Sequence, residues 1–467
     1  MKINVIKNYN NLSNVPANNS SPSKKLGQKN ISVNLSDSPI AYYNKMRISF
    51  MGLESKKNIS KHDEDHYVGC ILGGAIGDAF GAKIEAWSYE SIRKTFGDNG
   101  LRSLLTKNGV AKITDDTQMT LFTMFALIKN KLYNKGKIDF DSCLKELKSA
   151  YNDWNLTQNK NYYSGDKNSI LLQDDRLFAK RAPGITCLKA TSSDNFGTIE
   201  NPMNDSKANG ALMRSAPFGL ILAEEPDKAY DLAMNAAALT HGNPIAYISA
   251  GALAYLIANL INGNNLEEAV SLTVNKLKSC GQEGEQISGK IEEAVKLSKE
   301  NLQDNEAIKQ LGLGFLADEA LAISIYSALK YQTNFKSAII SSVNHDGDSD
   351  TTGSITGNIL GVYLGENSLG AAKNKIEIQD IIKEMSLDLY KPITEITNPE
   401  KKYGCSINLT TIEERREGDN FAPTESKKTF TSAELARLAS LPLVEAVEYR
   451  QKLIKKHLGL ISDSSDN

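Results

Sequence analysis

Two short segments, far apart in the chain, crowd carboxylates more densely than a folded interior tolerates unaided. One is Thr114-Asp115-Asp116-Thr117 and the other is Asp346-Gly347-Asp348-Ser349-Asp350-Thr351-Thr352. Each heads an apolar run with helical patterning, Met119 to Leu127 after the first and Ile355 to Leu364 after the second. Carboxylates this close repel one another and lose hydration on burial, so a fold that buries them needs positive charge among them. A hard divalent cation such as Mg²⁺ supplies it, because it takes oxygen ligands from carboxylates, hydroxyls and water. If the two segments meet in space, their donors suit a pair of ions about 3.5–4 Å apart.

Helix capping is the competing explanation. A lone Thr-Asp-Asp ahead of a helix is ordinarily a cap with favourable negative charge in the first turn. The second segment exceeds that need, with Asp at three alternate positions and Gly and Ser between them. Residues two apart in an extended loop point to the same side. The spacing therefore predicts that Asp346, Asp348 and Asp350 converge.

The chain has 467 residues, 40% of them hydrophobic, which is enough for one large domain or two ordinary ones with a sizeable core. A net charge of −2 argues against a polyanion binder, so nucleic acid is not an expected partner. No stretch is expected to reach the roughly 18–20 apolar residues of a membrane span. The N-terminal residues lack the apolar core of a signal peptide. Cys70, Cys143, Cys187, Cys280 and Cys405 are scattered without zinc-type spacing, which points to reduced thiols in a cytoplasmic setting. A monomer is the expected state.

Three regions emerge from composition. Residues 1–61 are rich in Asn, Ser and Lys, with ten Lys/Arg against two Asp/Glu, and read as a disordered basic leader, with Ile48 to Met51 as its one anchor-like patch. Residues 62–392 are globular, with helices expected at 64–79, 116–132, 142–154, 226–239, 244–262, 266–279, 286–302, 317–330, 335–343, 353–364 and 378–390. Residues 393–467 form a polar extension with one amphipathic helix at about 432–458. Strand signals are few. The expected class is all-α, a compact orthogonal multi-helix bundle, whose recurrent Gly73, Gly74, Gly77, Gly251, Gly357 and Gly361 allow close helix approach.

Smaller constellations surround the acidic segments. Gly73 to Gly81 ends a helix, and Glu85 comes next, placed to enter a pocket. Asn209-Gly210-Ala211-Leu212-Met213-Arg214 is a Gly-containing turn whose amides suit an anion such as a pyrophosphate. His241 is either a polar core residue or a ligand contact. His345 borders the acidic loop and is placed to orient its carboxylates. The turn Arg181 to Thr186 supplies no evident chemistry.

Taken together and in this order, the Gly73–Gly81 segment with Glu85, Ile113–Thr120, Asp153–Gln158, Arg181–Leu188, Asn209–Pro217, Thr240–Pro244, Leu313–Ala322 and Asp346–Gly353 resemble the ADP-ribosylglycohydrolase family over about residues 66–390. The resemblance implies an all-α fold with a central dinuclear Mg²⁺ or Mn²⁺ cleft. It implies Thr114, Asp115, Asp116, Asp348, Asp350 and Thr351 as metal ligands. Asp346 lies outside that set. Glu85 falls on an acidic active-site position, and Asn209, Gly210, Ala211 and His241 fall on segments that contact ADP-ribose. Phe315 stands where relatives often carry Trp, and Asn209 stands in a loop often richer in Gly.

The activity so implied is hydrolysis of the bond at C1 of the distal ribose of an ADP-ribosylated protein, through an oxocarbenium-like transition state. Asp350 and Asp116 are the candidates for general base, and Glu85 for assistance to the leaving group. The Gly347–Gly353 loop leans towards the arginine-type branch. The alternatives are a non-catalytic ADP-ribose-binding relative, and a hydrolase of a small ADP-ribosyl metabolite or of ADP-ribosylated nucleic acid.

Overall fold

Gly69, Gly73, Gly77 and Gly81 recur every four residues and so share one face of helix α1 (Glu64–Gly81). The facing helix runs Ser349–Leu364 and carries Gly353, Gly357 and Gly361 at the same interval. The two lie antiparallel with backbones in contact: a Cβ added at Gly73 would sit 2.5 Å from Gly357 O, and one at Gly353 would sit 2.5 Å from Gly77 O. Gly69 meets Gly361, and Gly81 meets Ser349, in the same ladder. The C-terminal end of α1 is thereby fixed against the N-terminal end of its partner.

This computed structural model describes residues 61–158, 169–192 and 196–404, with positions 449 and 452 besides. After α1 come α2 (Tyr89–Phe96), α3 (Asp115–Tyr133), α4 (Phe140–Gln158), α5 (Ile185–Thr191), α6 (Ala216–Ile221), α7 (Pro226–Ala238) and α8 (Pro244–Ile261). Next are α9 (Leu266–Lys278), α10 (Gly281–Leu297), α11 (Asp304–Leu311), α12 (Ala317–Lys330), α13 (Phe335–Val343), α14 (Ser349–Leu364), α15 (Gln379–Tyr390) and α16 (Pro399–Tyr403). Among the described residues, extended pairing is limited to the isolated bridges Lys107–Val110, Ala111–Ile376 and Ala208–Leu316, so the expected all-α class holds.

Local sequence explains the helix starts. Asp63 accepts from His66 N, Asn243 from Ile245 N, and Asn265 forms a reciprocal capping box with Glu268. Pro226 and Pro244 occupy first helical positions, where the missing N–H costs nothing. Several boundaries differ from expectation. The helix expected at 286–302 runs Gly281–Leu297, because the chain turns after Ser298 and restarts at Asp304. The helix expected at 353–364 begins at Ser349, so the second acidic segment belongs partly to its first turn. Packing also continues past residue 392: Tyr403 is buried, its ring centroid lies 5.7 Å from that of Phe125, and its hydroxyl donates to Asp388 at 2.8 Å.

Helix α8 also departs from expectation. Its 18 residues have a mean hydropathy of 1.6, long and apolar enough to span a membrane, yet 89% of it is buried inside the protein. It packs on α7, α9 and α12 as the central core helix. The anchor-like patch at 48–51 and the amphipathic helix at 432–458 lie outside the described residues, positions 449 and 452 excepted.

The ladder predicts an asymmetry between glycines. Gly73→Ala is expected to lose about 1–3 kcal/mol of stability through overpacking against Gly357. Gly289→Ala, in the exposed interior of α10 with nothing within 4 Å of the added Cβ, is expected to gain about 0.5–1 kcal/mol. Urea unfolding of both variants checks this. Equal effects would remove the special status of the α1–α14 contact.

Candidate active site

The α1–α14 contact places the second acidic segment, and α3 brings the first to meet it. Thr114 is the N-cap of α3, and Asp115 and Asp116 fill its first turn. Asp348 is the N-cap of α14, accepting from Thr351 N at 3.2 Å, and Asp350 lies in its first turn. Thr351 Oγ1 donates to Asp116 Oδ2 at 3.4 Å, and Thr114 Oγ1 reaches the same oxygen at 3.5 Å. The six residues expected as ligands thus gather at the facing N-termini of two helices.

All four carboxylates are nearly inaccessible, with relative exposures of 5% for Asp115, 2% for Asp116, 7% for Asp348 and 3% for Asp350. Burial is the largest cause that raises the pKa of each, and the neighbouring carboxylates add to it. Asp115 feels Glu85, Asp78 and Asp348, while Asp350 feels Glu85, Asp348 and Asp116. Glu85 is half-buried and lies close enough to act on both segments.

Magnitudes separate capping from cation binding. A helix N-terminus stabilises a nearby anion by about 0.3–1 kcal/mol, up to about 2 in favourable geometry. Desolvating a buried carboxylate costs several kcal/mol. Two helix ends therefore cannot hold four buried carboxylates ionised, and the group must take up protons or a cation. The donors fit a hard divalent ion: carboxylate and threonine oxygens, with Asp116 Oδ1 buried and lacking any hydrogen-bond partner. Among the described residues no three His, Cys, Asp or Glu side chains already stand in cation-binding geometry. Two of the expected ligands are threonines, and carboxylates repel one another until a cation draws them in.

Supporting groups were only partly visible in sequence. Asp78, fully buried in α1, accepts from Thr114 N at 3.0 Å, Thr117 N at 3.1 Å and the Thr117 hydroxyl, and so holds the start of α3. Burial pushes its carboxyl up to about 6 against these bonds. A carboxylate near the C-terminal end of an apolar helix opposes the helix dipole, and that was the available signal. The turn after Arg181 also gains a purpose. Arg181 O accepts from Asp115 N at 3.0 Å, and Gly184 N donates to Asp115 Oδ2 at 3.1 Å.

Other expectations change. Asp346 does not converge with Asp348 and Asp350, because Gly347 turns the chain at φ 146° and α14 begins at Ser349. Asp346 Oδ1 instead accepts from Tyr89 N at 2.9 Å. His345 meets Thr352 Oγ1 at 3.0 Å rather than a carboxylate. Asn209 donates through Nδ2 to Asp348 Oδ2 at 2.8 Å and to Gly314 O at 2.7 Å, while its amide bonds Phe315 O. Its own amide is therefore committed, and an anion cradle cannot include it. Gly210 lies against His241, and the Ala211 side chain packs with Ala237 and Ala250. His241 is buried, bonds Thr240 Oγ1 through Nδ1 at 2.8 Å, and is pushed down to about 3 by burial and the nearby Arg214.

The ADP-ribosylglycohydrolase family matches residues 60–397, and the chain belongs to it. Membership carries hydrolysis of ADP-ribosyl compounds as a general activity, in a family that is generally metal-dependent. The chain is 26% identical over 348 residues to an uncharacterized protein, YegU, of Escherichia coli (strain K12), covering 70% of this chain and 95% of that one. It is 26% identical over 318 residues to the ADP-ribosyl-[dinitrogen reductase] glycohydrolase of Rhodospirillum rubrum, covering 65% and 87%. It is 22% identical over 329 residues to the ADP-ribosylhydrolase ARH3 of Xenopus tropicalis, covering 64% and 87%.

A carboxyl whose pKa is higher folded than unfolded favours the protonated native state. Its stabilising contribution is full below the unfolded value of about 3.9 and is lost as pH rises through the folded value. Asp350→Asn removes one such group. In EDTA, the stability of this variant relative to wild type is expected to grow from about pH 4 to pH 7, and excess Mg²⁺ should reverse the gain. Urea midpoints across that range check it. A variant that loses ground with rising pH in EDTA contradicts the burial argument.

Proposed function

We propose that this protein is a metal-dependent hydrolase that cleaves the glycosidic bond between ADP-ribose and a modified protein side chain, arginine being the favoured acceptor. The observation that carries the proposal is the meeting of two acidic segments from distant parts of the sequence, marked by the 3.4 Å bond from Thr351 to Asp116. Thr114, Asp115, Asp116, Asp348, Asp350 and Thr351 would hold two divalent ions. When bound, these would supply Lewis acidity and a template for a hydroxyl-bearing sugar.

The chain's own residues divide the remaining work. Gly184 N and Arg181 O fix the orientation of Asp115. Asn209 fixes Asp348. Asp116 and Asp350, one from each acidic segment and close enough to act on each other, are the candidates for the group that accepts a proton during bond cleavage. Glu85, half-buried and close enough to act on the cluster, would meet the leaving group. His241 stays neutral at physiological pH and borders Gly210, where the ADP-ribose would lie. An ADP-ribosylated protein as substrate is consistent with the activity named for the Rhodospirillum rubrum relative.

Release of ADP-ribose from proteins modified on arginine, serine, cysteine or glutamate, assayed with Mg²⁺, Mn²⁺ or EDTA, tests the proposal. Turnover is expected with a divalent ion and to fall at least about 10²-fold in the Asp348→Ala, Asp350→Ala double variant. Full activity after exhaustive chelation, or in that variant, defeats it. Binding of ADP-ribose without release would make the chain a binding module instead. Turnover of free ADP-ribosyl nucleotides but of no modified protein would replace the substrate.

A further inference from the structure

We infer that Glu319, outside the ligand set, is a positioning residue for Asp348, acting through the loop Gly312-Leu313-Gly314; the inference rests on the function proposed above. Glu319 Oε2 accepts from Leu313 N at 3.1 Å and from Gly314 N at 3.2 Å. The opposite side of the same loop holds Asp348. Leu313 O accepts from Asp348 N at 2.9 Å. Gly314 O accepts from Asn209 Nδ2 at 2.7 Å, and that same Nδ2 orients Asp348 Oδ2 at 2.8 Å. Asp348 is thus held at its backbone and at its carboxylate, and both holds run through the loop that Glu319 grips.

The loop's conformation exists to allow this grip. Gly312 and Gly314 take φ values of 129° and 81°, which side-chain-bearing residues rarely adopt. A Cβ at Gly312 would sit 2.7 Å from Glu319 Oε1, and one at Gly314 would sit 2.9 Å from Thr352 Cγ2. The loop is therefore wedged between Glu319 and the start of α14, with no slack on either side. Lys290 lies 3.6 Å from Glu319 Oε1 and 3.4 Å from Asp318 Oδ2. The side chain is 17% exposed, so its two amide bonds are shielded but not sealed.

Three variants separate reach from charge. Glu319→Ala removes the acceptor. Glu319→Asp keeps the charge and withdraws the oxygen by one methylene. Glu319→Gln keeps the reach and loses the charge. Mn²⁺ affinity, read by electron paramagnetic resonance, is expected to fall about 10–100-fold in Ala and Asp, the usual effect of losing a ligand's supporting partner, and to stay within about 3-fold in Gln. Hydrogen exchange of the Asp348 amide in the metal-free protein should accelerate in Ala and Asp and stay protected in Gln. Should Ala not fold, the Asp and Gln pair decides alone. The inference is overturned if loss tracks charge, with Gln impaired and Asp intact, or if no variant alters either readout. If wild type binds no Mn²⁺, the proposed function fails, while Asp348 amide protection across the series still decides the role of Glu319.

Discussion

Backbone contact between α1 and α14 is the constraint on which the site depends. Helices faced with larger side chains sit about 8–10 Å apart. Here glycines at 69, 73, 77 and 81 meet Gly361, Gly357, Gly353 and Ser349, so the helices close until carbonyls meet α-carbons. Because the pair is antiparallel, the closest approach delivers the end of α1 to the beginning of α14. Asp78 leaves that interface to hold Thr114 and Thr117, and Ala86 N, just beyond Glu85, bonds Gly347 O at 2.7 Å. One interface therefore sets the positions of three elements that bear the site: the start of α3, the Glu85 turn and the start of α14.

Much of this was legible in the chain. Helix spans such as 317–330 and 335–343 coincide with α12 and α13, because caps and apolar periodicity are local signals. The acidic segments also announced themselves as a pair, since the second carries more charge than capping needs. What was not legible depended on backbone direction. Alternation in an extended loop wrongly aimed Asp346 at the cluster, since one positive-φ glycine at 347 reverses the chain there. The Arg181–Gly184 turn looked idle because its contribution is a carbonyl and an amide, which nearly any residue type can supply. Glu319 was hidden for the same reason: its partners are peptide groups of a loop whose path is set by glycine conformations.

Two buried arginines, Arg181 and Arg214, sit in segments that border the site. Arg181 is buried and pairs with Glu377 at 3.2 Å. Glu377 in turn accepts from Ile113 N at 3.1 Å, so this pair fastens the stretch of chain leading into Thr114. Arg214 is equally buried, donates to Thr240 Oγ1 at 2.7 Å, and lies 4.2 Å from the centroid of the Tyr151 ring. Its partners are neutral, and its field pushes His241 towards the uncharged form.

Neither histidine can then take the cation's place. Burial lowers His241 to about 3 and His345 to about 4, so both are neutral at physiological pH. Asn209 and Gly184 contribute single hydrogen bonds, and a bond to a charged group is worth about 1.5–3 kcal/mol, short of the desolvation of a carboxylate that also faces its neighbours. Hydrogen bonds of this size and neutral histidines leave the buried oxygen donors to be balanced by protons or by a cation. Two divalent ions would offset the charge of the four carboxylates, so that the cluster would no longer repel an anionic ligand such as ADP-ribose.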